Sequence, residues 1–219
     1  MIYGSTIWVY GDAAVGNLNE DSPLAQPTHL YTATKLAGEM YTLAYNTMYG
    51  ASHTILRFGI PYGPRARTAA VVPSFVLRAR RGEALHIAGD GGQTRQFVYV
   101  EDLASGIVAS LSDRAVARTY NLVGDEQTSV RRIADVVREI VAPVPIVYGP
   151  ERRADVHIGR VSGLRAASEL GWRPTVTFAD GVRRYVEWLT ATTGSSDALA
   201  DSSTSGSAAA VRRQESSRL

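Results

Sequence analysis

The sequence predicts an α/β fold in which buried strands alternate with amphipathic helices. Three observations carry that reading. MIYGSTIWVY (1–10) is rich in Ile, Val, Tyr and Trp and stops at Gly11, the pattern of a buried strand running into a loop. After Leu30, the residues Leu36, Met40, Leu43, Ala44 and Met48 recur at helical spacing, which predicts an amphipathic helix. HTILRFGI (53–60) and RTYNLVG (118–124) are further short apolar runs with helical stretches between them.

Composition narrows the class. At 219 residues and 45% apolar, the chain can bury one good core, or one domain and part of another. The net charge of +2 comes from interspersed acids and bases, so no basic patch invites nucleic acid. With no cysteine, disulfides and thiolate metal sites are excluded. No apolar run approaches the ~20 residues of a membrane span, and the amino terminus lacks a basic region and cleavage signal. The expectation is a cytoplasmic protein with neither a nucleic-acid nor a membrane partner.

Taken in order, residues 12–30 are polar and feed the helix as a loop. Tyr31 and Lys35 lie four apart on one face of that helix. Lys35 is the only lysine among 23 basic residues. Lysine is a compact cation on a flexible stem, whereas arginine is a planar fork, so a site that needs a point charge explains why this position is not arginine.

The run 53–60 ends at Pro61-Tyr62-Gly63-Pro64-Arg65. His53 has no partner at ligand spacing and reads as a strand-start residue, so no metal is expected. Residues 71–85 read as a helix with Arg78, Arg80 and Arg81 on its outer side. Gly89, Gly91 and Gly92 read as a hairpin turn that delivers Arg95 into the strand QFVYV. Glu101-Asp102 begin the next helix. Thr128/Ser129 cap a helix over 129–141, and 143–149 is a short strand. Arg152 and Asp155 stand three apart; 178–189 is a last amphipathic helix, and 190–219 is a disordered, charge-balanced tail.

Thr6 two residues before Trp8-Val9-Tyr10-Gly11, then Tyr31-Thr-Ala-Thr-Lys35, Tyr62-Gly63-Pro64-Arg65 and Leu170-Gly171-Trp172-x-Pro174 form a recognisable set. From Met1 to about Leu189 the chain resembles the extended short-chain dehydrogenase/reductases, and within them the NAD-dependent epimerase/dehydratases of nucleotide sugars. The resemblance implies the C-terminal part of a Rossmann-type doubly wound sheet plus a smaller mixed α/β substrate domain. The first is expected over 1–62 with 97–124 returning to it, the second over 63–96 and 125–189.

It also implies roles. Thr6, Tyr31 and Lys35 would be catalytic; Tyr31, Lys35 and Pro61 would meet NAD; Arg95, Arg152 and Asp155 would hold a nucleotide-diphosphate sugar. Tyr31 would take a sugar hydroxyl proton while the hydride passes to NAD, and a homodimer is possible when complete. MIYGSTIWVYG resembles the family's fifth strand, and no Gly-x-Gly-x-x-Gly turn occurs. A truncated chain lacking the units for the adenosine half of NAD is therefore expected.

Three departures bear on activity. Ile60 replaces an asparagine of many members, Val161-Ser162 replace an Ala-Asp pair, and Ile7-Trp8 replace the Asp-Glu of 4,6-dehydratases. The last favours a UDP-glucose 4-epimerase-like hydride shuttle. A nucleotide-sugar oxidoreductase or dehydratase, and a non-catalytic nucleotide-sugar binding fragment, remain the alternatives.

Overall fold

The computed structural model describes residues 1–11, 16–151 and 158–192. In chain order the elements are β1 (Ile2–Thr6), β2 (Asn17–Leu18), α1 (Leu30–Tyr49), β3 (Thr54–Phe58), β4 (Ile60–Tyr62), α2 (Val71–Arg80), β5 (Leu85–Ala88), β6 (Thr94–Tyr99), α3 (Val100–Ala109), β7 (Arg118–Leu122), β8 (Gln127–Ser129), α4 (Val130–Ile140), β9 (Ile146–Gly149) and β10 (Arg160–Val161). A final helix, α5, covers 178–192 of the described residues, past the expected stop at 189.

Three strands form a parallel sheet in the order β1-β3-β7, with Thr6, Phe58 and Leu122 aligned at its carboxyl edge. Ligands of open α/β sheets bind at that edge. β1 is shorter than its apolar run predicts. Thr6 caps a 3-10 turn over Ile7–Tyr10, and Gly11 closes it at φ 74°, with its N–H on the Trp8 carbonyl. A Cβ at Gly11 would lie 2.3 Å from that of Ala25, so only glycine fits.

A second sheet, β4-β6-β8, runs beside the first, with β4 parallel and β8 antiparallel to β6. The expected hairpin at Gly89–Gly92 does not form. β5 pairs with β9 and β6 pairs with β4 and β8, so the glycine turn joins strands that hydrogen-bond elsewhere. Gly91 accepts the N–H of Arg131 at 3.0 Å, which seats the turn on the start of α4. Ser129 caps α4 as expected, accepting the Arg132 N–H at 3.1 Å.

The largest core cluster gathers Tyr62, Phe75, Phe97, Ile133 and Phe178 between the second sheet and α2, α4 and α5. A second packs Leu56, Val98, Tyr120, Leu122 and Trp172 under the parallel sheet. Trp172 Nε1 donates to the Asp102 carbonyl at 3.0 Å, and the Asp102 carboxylate accepts the N–H groups of Thr175 and Val176 at 3.0 and 2.9 Å. The Leu-Gly-Trp stretch is thereby locked to α3.

Helix α1 reverses the expected amphipathicity. Its side toward the sheet buries Thr32, Glu39 and Thr42. Met40, Leu43 and Met48 of the expected apolar stripe are exposed, as are Tyr41, Tyr45 and Tyr49. The two charges of the helix, Lys35 and Glu39, both bond toward β1 and β3, leaving the outer face uncharged.

Candidate active site

The site begins where α1 crosses the carboxyl end of β1. Gly38 lets the two approach, since a Cβ there would lie 2.0 Å from the Tyr3 hydroxyl. Tyr3 donates that hydroxyl to the Lys35 carbonyl at 3.2 Å. In return, the Lys35 ammonium donates to the Gly4 carbonyl at 2.8 Å. Its Nζ lies 5.6 Å from the centre of the Tyr3 ring and 5.9 Å from that of Tyr31. Lys35 and Tyr31 are thus brought together beside the strand, with Tyr31 55% exposed.

Thr6 ends the same strand, buried, its Oγ1 accepting the Trp8 N–H at 3.3 Å. The Trp8 ring lies 5.5 Å from that of His29, whose Nδ1 is 3.2 Å from the Thr32 hydroxyl. The turn after β1 and the first turn of α1 are tied together by this contact.

Beneath these residues lies a buried polar network that sequence reasoning missed. Arg57 of β3 grips Glu39 of α1 through two bonds, Nε to Oε1 at 3.0 Å and Nη2 to Oε2 at 2.7 Å. Ser5 donates to the same carboxylate. Arg57 Nη1 also donates to the Tyr10 hydroxyl at 2.9 Å, and Tyr10 donates to Asn121 Oδ1 at 2.8 Å. Glu20 accepts the Asn121 N–H at 2.8 Å and faces Arg165 at 3.8 Å. The available signals were Glu39 at four residues beyond Lys35 and Arg57 as the lone charge in the strand TILRF.

Burial shifts several of these groups. Burial pushes the Tyr10 phenol up, although Arg57 pulls it down. Burial also raises Glu20 above the ordinary carboxylate value, against the Asn121 N–H and the two arginines. Burial opposes the Arg57 charge, but the Glu39 carboxylate and the Tyr10 phenol together outweigh it and raise the guanidinium further. Burial lifts the Tyr3 phenol, with the Glu39 carboxylate and Tyr31 adding to it.

A cavity of about 410 Å³ opens beside the second sheet, lined by Pro61, Arg78, His86, Gln93, Arg95 and Phe97 among others. Arg78, half-buried and facing Glu83 at 3.7 Å, also lines the cavity, whereas Arg80 and Arg81 are exposed as expected. A narrow slot lined by Ile7, Trp8, Ile60, Arg95 and Ile158 adjoins the cavity. Ile60 and Arg95 line both. Arg95 donates from Nη1 to the Thr94 carbonyl at 2.8 Å. Arg152 and Asp155 lie outside the described residues. Among the described residues no acid or histidine cluster could hold a metal, and no helix is long and apolar enough to cross a membrane.

The model of the NAD-dependent epimerase/dehydratase family matches residues 1–123. The chain belongs to that family. A dTDP-glucose 4,6-dehydratase of Streptomyces griseus is 30% identical over 186 residues, covering 84% of this chain and 56% of the relative. The UDP-glucose 4-epimerase of Thermotoga maritima, solved with UDP-glucose, superposes with a TM-score of 0.82 at 30% identity, over 88% of this chain and 63% of that one. The dTDP-glucose 4,6-dehydratase DesIV of Streptomyces venezuelae, solved with NAD and TYD bound, gives a TM-score of 0.79 at 29% identity, over 88% and 60%. The chain thus spans less than two thirds of each of these proteins. Its α/β architecture is that of a Rossmann-like, NAD-dependent family.

Proposed function

We propose that this chain carries the hydride-shuttling site of a nucleotide-sugar epimerase, with Thr6, Tyr31 and Lys35 as its catalytic residues. The single observation that carries the reading is Lys35. The only lysine of the chain sits beside the Tyr31 ring and on the Gly4 carbonyl, midway along β1 and two residues before Thr6.

The residues present fit the nicotinamide-ribose end of NAD. An ammonium and a phenol stand side by side there, and Pro61 lies on the adjoining cavity wall. The sequence has no Gly-x-Gly-x-x-Gly turn for the pyrophosphate. Bound there, NAD would supply the hydride acceptor and donor for the sugar carbon. Tyr31 would take the proton of the hydroxyl on that carbon and give it back after the sugar has turned over. Thr6 would hold that hydroxyl in line. Lys35 would donate to the ribose and set its charge next to the phenol. The uncharged Ile7-Trp8 pair supplies no acid or base for a 4,6-elimination, which favours epimerisation.

Arg95 at the junction of slot and cavity would hold the diphosphate, for which its fork is suited. Arg152 and Asp155 would complete that hold. In this reading β1, β3 and β7 serve the cofactor side, and the cavity of the second sheet takes the nucleotide. Turnover of UDP-glucose by a form of the protein that binds NAD, and by its Lys35→Arg variant, tests the assignment. Loss of most turnover in the variant is expected. Near-equal rates would remove Lys35 from the chemistry.

A further inference from the structure

We propose that Glu39 and Arg57 are positioning residues whose buried pair sets the rotation of α1 on the sheet, and so aims Lys35 and Tyr31 at the end of β1. The inference rests on the reading of Tyr31 and Lys35 given above. Tyr31, Lys35 and Glu39 recur every four residues, so at 3.6 residues per turn they share an arc of roughly 80°. Whatever fixes the angle of Glu39 therefore fixes the angle of the other two.

The pair is built to fix it. Arg57 is 5% exposed and Glu39 1%. The guanidinium reaches both carboxylate oxygens, a two-point hold that resists rotation of the helix. Ser5, one residue before Thr6, donates to the same carboxylate. The sheet side of α1 offers few alternatives, because its buried residues are Thr32, Glu39 and Thr42 rather than apolar anchors. Packing on an apolar ridge would tolerate a small rotation, whereas a forked ion pair does not. Arg57 also holds the turn after β1 through Tyr10 and the Glu20 carbonyl. One cation of β3 thus sets α1 and the segment behind Thr6 together.

A buried pair is weak evidence of stabilisation, since apolar replacements are often as stable. The test must therefore read position, not melting alone. Because Lys35 is the only lysine, lysine-selective 13C labelling of chain 1–219 yields one ε-methylene signal. In the parent that signal should be displaced by the ring currents of Tyr3 and Tyr31. In Glu39→Gln and in Arg57→Gln it should move toward the value of free lysine. A control such as Val136→Ala, in the distant core cluster, should lower the melting temperature and leave the signal in place. If Glu39→Gln fails to fold, Ser5→Ala removes one donor without uncovering a charge, and should shift the signal less but in the same direction. A signal unmoved in Glu39→Gln and Arg57→Gln, or in Ser5→Ala where these do not fold, overturns the positioning role while leaving the catalytic reading intact. A signal that moves, together with full turnover in Lys35→Arg, supports the positioning role and sinks the catalytic reading alone.

Discussion

The ammonium of Lys35 and the carbonyl of Gly4 are 2.8 Å apart. Through that bond the second turn of α1 is held against β1 two residues before Thr6. The contact puts a cation against the strand next to an exposed phenol.

The uncharged outer face of α1 predicts self-association. Met40, Tyr41, Leu43, Tyr45, Met48 and Tyr49 are all exposed on one helix, and β1 has no strand on its outer side among the described residues. Such a patch and edge favour pairing. A second copy of the chain is the expected occupant, because a face without charges has nothing to select a charged partner. Sedimentation of chain 1–219 should show oligomers, and Tyr41→Lys with Met48→Lys should return it to monomer. A monomeric parent chain would contradict this.

Asp102 should matter for stability. Its buried carboxylate accepts two backbone N–H groups and the Thr175 hydroxyl, and Asp102→Ala leaves those part-buried donors without their acceptor. A loss of ~3 kcal/mol is expected, read from the urea midpoint. A change within ~0.5 kcal/mol, as at an ordinary surface position, would show that the 175–176 turn is held otherwise.

The legible parts of this protein were those written locally. Tyr31 and Lys35 share a helix, so their spacing alone placed them together, and Ser129 announced the start of α4. Non-local pairing was not legible. The glycines at 89–92 look like a hairpin because nothing nearby tells that β5 pairs with β9 and β6 with β4 and β8. The orientation of α1 was misread for a different reason. Apolar spacing assumes that the apolar side is the buried one, and here Glu39 and Arg57 make the buried side polar. Their meeting depends on two elements 18 residues apart in sequence.

Glu20 predicts a pH effect. Burial raises its folded-state pKa above the ordinary value of 4.5. The folded chain then holds a proton that the unfolded chain releases. That contribution to stability is complete below about pH 4.5 and is lost as the pH rises through the raised value. Glu20→Gln keeps an acceptor for the Asn121 N–H and has no such proton. Urea midpoints measured from pH 4 to 7.5 should therefore fall for the parent relative to Glu20→Gln. Parallel curves would mean that Glu20 ionises as freely folded as unfolded.

Arg95 lines both the slot beyond Thr6 and the cavity, the place proposed above for a nucleotide sugar. Calorimetric titration of chain 1–219 with UDP- and dTDP-sugars measures that binding directly. The account predicts binding of at least one of them, weakened in Arg95→Ala by ~1.5–3 kcal/mol for the lost charge-assisted contact. Absence of binding, or equal affinity in the parent and Arg95→Ala, would contradict it.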